Sequence, residues 1–357
     1  MEVVNRELTM IRISVVMSVF AEPIDWIKQS VDSILCQTFG DYEFIIVNDK
    51  PDREELKELL DDYSRRDSRI VVISNEENIG LTKSLNKALS IANGKYIARM
   101  DADDYSHPLR FEKQLSFLEG HKDVVMIGCY ARIMNESGRI IGKMYTSDDY
   151  ETLKMMIPFS QPTFHPSMMY LKEINGFPVR YDEEMRMSQD YELCSRLIDY
   201  PLTNIPEFLI DYRMSAKQMT KVYKANYITK DGPIRKNLLC KYYNGITDKD
   251  ADSFINMFYR LKVDRTAIED VDTFLVHLYQ NNNNHKKEIK TVMTFVLIRY
   301  IKFLLHNETK TNVIRRFVRL NKSFEDSFYM SVFGYGIGKI LNKLKYKLIY
   351  KKCPAYK

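Results

Sequence analysis

The first hundred residues constrain the fold most, because strand-like and helix-like hydrophobic patterns alternate there four times. "IRISVVMSVF" (11–20) is β-branched and apolar and stops before Glu22-Pro23, as a strand buried on both faces does. From Ile24 to Gln37 the apolar residues Ile27, Val31, Ile34 and Leu35 fall at helical spacing. "YEFIIVND" (42–49) reads as a second strand and "REELKELLDDYSRR" (53–66) as a charged amphipathic helix. "RIVVIS" (69–74) reads as a third strand, after which "NEENIG" forms a polar loop. "LTKSLNKALSIA" (81–92) reads as a helix with a C-cap at Asn93-Gly94, and "KYIARM" (95–100) as the fourth strand. Such alternation predicts an α/β fold, a mostly parallel sheet flanked by helices. Ligands of these sheets bind beyond the carboxyl ends of the strands. Asp49 and the cluster Asp101, Asp103 and Asp104 all stand just past strand ends, so both are expected in one cleft.

After Pro108 the pattern changes. A helix is expected over 109–118, a hairpin around "NESG" (135–138), a loop at "PFSQPTFHP" (158–166), a helix at "MSQDYELCSRLID" (187–199) and a closing strand at "FLIDYRM" (208–214). Beyond Thr220 the periodicity is helical, with "NNNN" (281–284) as a loop between helices. The chain therefore divides into a catalytic-type domain, 1–220, and a helical C-terminal domain, 221–357. The net charge of +5 hides an asymmetry, about −10 in the first part and about +15 in the second.

In the basic part, "GIGKILNKLKYKLIYKK" (336–352) places Ile337, Ile340, Leu341, Leu344 and Leu348 at helical spacing among lysines. Such a helix either packs on its own domain or lies on an anionic membrane surface. No nucleic-acid recognition motif accompanies the basic charge, so nucleic acid is not expected as a partner. The five cysteines are scattered, with neither disulfide nor zinc spacing, which suits the reducing cytosol. The N-terminus lacks the layout of a signal peptide, and the most apolar later stretch, 291–305, is broken by Arg299 and Lys302. The expected location is cytoplasmic, with peripheral contact to the inner face of the membrane.

Three carboxylates within four residues need an explanation. One acid can cap the helix after Pro108, and an exposed acidic loop is the other plain reading. Closely set carboxylates also become favourable together around a hard divalent cation such as Mg²⁺ or Mn²⁺, which prefers oxygen ligands and leaves positions for phosphates. Asp101 and Asp103 would share one side of an extended chain.

An ordered set of motifs over residues 13–213 resembles family 2 glycosyltransferases with the glycosyltransferase A fold. "SVVMSVF" is similar to the family's opening strand, "IIVNDKP" to its strand-end "VNDGS", and "NEENIGLTKSLNKAL" to its "N-x-G-x-x-x-A-x-N" segment. "RMDADD" is similar to the aspartate-any-aspartate motif, and "FHPSMM" to the "HP" loop of capsule and O-antigen enzymes. "SQDYELCSRL" resembles the acceptor-side helix and "DYRM" the closing strand.

The resemblance implies inverting, metal-dependent transfer from a nucleotide-sugar, a UDP-sugar by expectation, to a saccharide acceptor. A lipid-linked acceptor in surface polysaccharide synthesis is expected. It implies Asp190 as the base that deprotonates the acceptor hydroxyl, with a first-turn helix acid as its plain reading. It also implies Asp103 as metal ligand, Asp101 at the ribose or a metal-bound water, and Asp49 at the uracil or ribose. His165 is a candidate for metal, diphosphate or acceptor contact. Arg99 either reaches the diphosphate or pairs with a loop acid. Arg213 or Lys217 is a candidate diphosphate clamp. Lys50-Pro51 departs from the family's "GS", and Gln189 stands where an acid is common. Two other readings share these residues: a sugar nucleotidyltransferase, which would want an N-terminal glycine-rich phosphate loop absent here, and a sugar-binding or scaffold protein without turnover.

Overall fold

The computed structural model describes residues 11–215, 224–282 and 286–309, together with 312–313, 316 and 320. Lys217 and the segment 336–352 lie outside the described residues. Close contacts divide the chain into two compact units, residues 1–234 and 235–357. The division falls inside a helix, Lys224–Tyr242, one residue after Pro233, whose ring removes a helical N–H.

In the first unit the strand and helix alternation is realised as β1 (Ile13–Val19), α1 (Ile24–Leu35), β2 (Tyr42–Asn48), α2 (Glu54–Arg66), β3 (Ile70–Ser74), α3 (Leu81–Ile91) and β4 (Tyr96–Arg99). There follow β5 (Tyr105–Ser106), α4 (Arg110–Gly120), the hairpin β6 (Met126–Met134) and β7 (Ile140–Met144), and α5 (Tyr150–Met156). A 3-10 turn at His165–Ser167 leads into β8 (Met169–Leu171). The small pair β9 (Glu173–Ile174) and β10 (Phe177–Pro178), then α6 (Gln189–Leu197) and β11 (Leu202–Arg213), complete the sheet region. Among the described residues nine strands share one sheet, in the order β3-β2-β1-β4-β8-β6-β11-β5 with β7 beside β6. Strands β3 to β4 pair in parallel; β8 runs antiparallel to both β4 and β6, and β11 returns parallel to β6. The sheet is thus parallel where the sequence alternates and mixed beyond β4.

Strand β1 lies between β2 and β4, which explains why nearly all of it is apolar and buried. The exceptions have partners. Ser14 Oγ donates to Glu43 Oε1 and accepts from Gly94 N, while Glu43 also accepts from Asn93 N. Helix α3 ends at Ile91 rather than at the Asn93-Gly94 cap expected from sequence. Gly94 is needed for proximity instead: a Cβ there would lie 2.4 Å from Ser14 N and 2.6 Å from the Ile13 carbonyl carbon. Phe111 of α4 meets Tyr42 edge-on, with ring centroids 5.5 Å apart, and fixes that helix under the sheet.

Among the described residues the second unit holds three further helices, Asp248–Tyr259, Arg265–Gln280 and Lys286–Asn307, numbered α8, α9 and α10 after the Lys224–Tyr242 helix, α7. Thr247 and Asp250 form a reciprocal capping box at the start of α8, and Asp264 caps α9 through Ala267 N. Among the described residues no helix is long and apolar enough to cross a membrane.

Gly94→Ala forces strand backbone to move, so it should lower the unfolding free energy by about 1–3 kcal/mol in chemical denaturation. Gly40→Ala meets nothing within 4 Å and serves as the control that should stay within about 0.5 kcal/mol of wild type.

Candidate active site

The carboxyl ends of β2, β1 and β4 lie side by side and carry the polar residues the sequence singles out. Asp49 N donates to Val19 O and Met100 N to Val16 O, which ties the segments after β2 and β4 to β1. After β1, Phe20 N donates to Glu22 Oε2 at 2.8 Å.

Asp49 is 2% exposed, and its carboxylate is already engaged by the protein. It accepts from Asn75 Nδ2 (2.8 Å), Ile79 N (2.9 Å) and Gly80 N (3.0 Å). Gly80, at φ +86°, turns the "NEENIG" loop so that its amides face Asp49. Asp49 therefore shapes the loop beside the strand ends. Asn48 accepts from Lys50 N at 2.9 Å and shapes its turn.

The acidic cluster after β4 is a turn, not the extended chain expected from the alternation of Asp101 and Asp103. The turn gathers all three acids, with one oxygen from each of Asp101, Asp103 and Asp104 within 4.8 Å of the others. Burial and the neighbouring charges of Asp101 and Glu22 push the Asp103 carboxyl up to about 7. Asp104 rises well above the usual range, through burial and then Asp103 and Asp101, although Arg213 N donates to it at 2.7 Å. Among the described residues its Oδ2 is buried without a hydrogen-bond partner. An all-oxygen donor set, crowded enough to hold protons when alone, fits a hard divalent cation. Asp101 and Asp103, both partly exposed, would hold it, with Asp104 behind them.

Arg99 is 1% exposed and ion-paired with Asp101 through Nη1. Of the two roles open to it, the structure shows pairing with a loop acid. Neither Nη1 nor Nε makes a hydrogen bond of good geometry, so the guanidinium keeps donors in hand. Its charge also acts on Asp103, Asp190 and His165. Arg213, a candidate diphosphate clamp, directs its donors to the carbonyls of Asp103, Asn135 and Glu136 and to Gln29, with its guanidinium 4.7 Å over Trp26. Arg110, also buried, donates to the carbonyls of Arg99 and Met168.

Asp190 sits in the first turn of α6, after Ser188 in the left-handed region at φ +59°. Its carboxylate accepts from Gln161 Nε2 and from Tyr191 N, both at 2.9 Å. Burial raises its pKa, opposed by those two bonds and by Arg99. Tyr212 of β11 lies in the field of Asp104, Asp101, Asp103 and Asp190 together, so strand, turn and helix bring the two acidic groups to one site.

His165 is placed differently from the metal-ligand expectation. Among the described residues it belongs to no cluster with metal-ligand geometry. Its Nε2 is hydrogen-bonded to Tyr181 Oη at 2.9 Å, and burial with the nearby Arg99 charge drives its pKa well down, which favours the neutral imidazole. Arg196 pairs with Glu192 one turn earlier and also donates to Arg180 O.

Sequence reasoning missed Gln161, Tyr181, Asn75 and Glu22. Asn75 carried a signal, since it stands just past β3 as Asp49 stands past β2; Gln161 and Tyr181 lie in loops without periodicity. Asn86 of α3 fixes the Tyr181 loop through Tyr181 O (2.9 Å) and Tyr181 N (3.0 Å), giving a physical meaning to the last Asn of "N-x-G-x-x-x-A-x-N".

Comparisons with known proteins agree with this geometry. The Glycosyl transferase family 2 profile matches residues 14–175. The chain is 37% identical over 256 residues to an uncharacterised glycosyltransferase, MJ1057, of Methanocaldococcus jannaschii, covering 70% of this chain and 84% of that one. It is 33% identical over 224 residues to the O-antigen biosynthesis glycosyltransferase WbnJ of Escherichia coli, covering 60% and 84%. Among solved structures, TarS 1–349 of S. aureus in complex with UDP-GlcNAc has a TM-score of 0.53 at 15% identity, over 88% of this chain and 91% of that one. The fold is the glycosyltransferase A fold. The chain belongs to glycosyltransferase family 2 and is a glycosyltransferase.

A carboxyl with a folded pKa above its unfolded value binds a proton on folding, so stability falls as pH rises from near 3.8 to about 7. Metal-free Asp103→Asn should therefore melt higher than wild type at pH 7.5 and match it near pH 4, as measured by calorimetry.

Proposed function

We propose that the protein catalyses inverting, metal-dependent transfer of a sugar from a UDP-sugar to a saccharide hydroxyl, in the synthesis of a bacterial surface polysaccharide. The carrying observation is the cluster Asp101, Asp103 and Asp104 on the same site as Asp190, with the Arg99 cation acting on both. The O-antigen name of one relative and the amylovoran biosynthesis name of another, AmsE of Erwinia amylovora, support the polysaccharide reading; the UDP-GlcNAc held by TarS supports the donor class. Lipid linkage of the acceptor, and contact of the 336–352 segment with the inner face of the membrane, belong to the same proposal.

Asp190 accepts the proton of the acceptor hydroxyl while that oxygen bonds to the anomeric carbon from the face opposite the diphosphate. The bond between anomeric carbon and diphosphate oxygen breaks, and the nucleoside diphosphate departs with the electron pair. Asp103 and Asp101 would hold a divalent cation, whose charge would stabilise the departing diphosphate. Asp49 orders the loop over the nucleoside end, where it is proposed to meet the base or ribose. Gln161 aims the Asp190 carboxylate, and its hydrogen bond and the Arg99 charge both oppose the burial that raises Asp190.

Asp190→Asn should lower turnover by about 10²–10⁴-fold while the variant still binds donor, measured by nucleoside diphosphate release and equilibrium binding. The acid limb of the wild-type kcat/KM profile should lie above the ordinary aspartate value near 3.8. Release of pyrophosphate instead would assign the site to nucleotidyl transfer, and equal turnover by Asp190→Asn would remove the base from the scheme.

A further inference from the structure

Asp190 stands where two irregular loops meet. One, residues 157–164, carries Gln161, which donates to the Asp190 carboxylate at 2.9 Å. The other, residues 179–188, leads into α6 through Ser188 at φ +59°. Each loop has its own anchor. Pro162 O accepts from Asn204 Nδ2 (3.1 Å) and Thr146 Oγ1 (2.6 Å), which ties the first loop to β11 and to the segment after β7. Asn86 of α3 holds the second loop through both backbone groups of Tyr181, and Thr82 of the same helix donates to Met185 O at 2.8 Å. The amides just before α3, Ile79 N and Gly80 N, hold Asp49. One helix is therefore the frame both for the Asp49 end of the cleft and for the loop that leads to Asp190.

Tyr181 joins the two loops. Its backbone belongs to the second, and its Oη is hydrogen-bonded at 2.9 Å to Nε2 of His165, four residues after Gln161. The two rings meet edge-on with centroids 5.6 Å apart, and both residues are buried. An apolar pair would fill the same space without taking a hydroxyl and an imidazole out of water. A buried polar pair instead accepts few orientations, because misalignment leaves both groups unsatisfied. Tyr191 Oη donates to Ile157 O at 2.8 Å and ties α6 to the start of the first loop. The bond between Tyr181 and His165 ties the approach to α6 to the end of that loop.

We propose that Tyr181 is a positioning residue for Asp190: its hydroxyl, through His165, holds the loop that carries Gln161 in register with the loop that delivers Asp190. The inference rests on Asp190 as the base of the proposed transfer and adds the residues that set its aim. Loosening the Gln161 loop removes a bond that favours the carboxylate and leaves the burial that disfavours it. Besides Tyr181, the titratable groups coupled to Asp190 are Arg99 on β4, Cys194 on α6 and Tyr212 on β11, and Tyr181→Phe alters none of them.

The test follows the Asp190 carboxyl by carbon NMR in the full chain labelled at aspartate, without metal or substrate, the resonance being assigned by its loss in Asp190→Asn. Wild type should titrate above the ordinary aspartate value near 3.8. Tyr181→Phe should move the titration further up, as Gln161→Leu does, and the double variant should move it no more than Gln161→Leu alone. His165→Phe breaks the same bond from the other side and should act in the same direction. Turnover is the second readout. Tyr181→Phe should lower kcat by about 10–100-fold with donor affinity unchanged, because the acidic turn and Asp49 keep their contacts. An Asp190 titration that Tyr181→Phe and His165→Phe both leave at the wild-type value would overturn the inference, as would full additivity with Gln161→Leu. Wild type that releases no nucleoside diphosphate would sink the transfer reading instead, and the titration would still decide the positioning.

Discussion

The repulsion among three carboxylates at the end of β4 is the constraint around which the first unit is arranged. Left in an apolar sheet end, the acids would hold protons or unfold the turn. The surrounding elements each bring one counterweight. Arg99, the last residue of β4, pairs with Asp101 from beneath. Strand β11 returns through the sheet to place the Arg213 backbone N–H on Asp104 and its side chain on the Asp103 carbonyl. Ser30 of α1 donates to the Asp101 carbonyl at 2.7 Å, so the first helix also holds the turn from outside. These contacts fix the backbone of the turn, while Asp101 and Asp103 stay partly exposed.

Pre-organisation of this kind costs stability without its ligand and lowers the cost of binding with it. Asp103 and Asp104 are raised by burial and by the neighbouring carboxylates, and Asp190 is raised by burial. A base with an elevated pKa is better matched to removing a hydroxyl proton near neutrality than an exposed aspartate is. The same environment therefore serves two opposite needs: acids that want a cation, and an acid that wants a proton in transit.

Much of this was legible in the sequence, for identifiable reasons. Alternating periodicity set β1 through β4, and the strand-end rule put Asp49 and the acidic cluster at the same edge. Both rest on local pattern, which a sequence carries well. The failures all involve long-range partners. Gly94 reads as a cap because Asn-Gly is a cap signal, yet it faces Ser14, eighty residues away in sequence. His165 reads as a candidate ligand from its loop, and the bond from its Nε2 to Tyr181 could not be read there. Arg213 reads as a clamp, but the hairpin turn and Gln29 use its donors first. Competition for a side chain by partners distant in sequence is invisible to local pattern.

The most direct test of the acidic site as a metal centre is calorimetric titration of Mn²⁺ into the UDP-saturated protein near pH 7, repeated in two buffers of different ionisation enthalpy. Because the clustered acids hold protons when alone, the account predicts binding with net proton release, lost in Asp103→Asn. Absence of Mn²⁺ binding, or binding that releases no proton and survives Asp103→Asn, would contradict it.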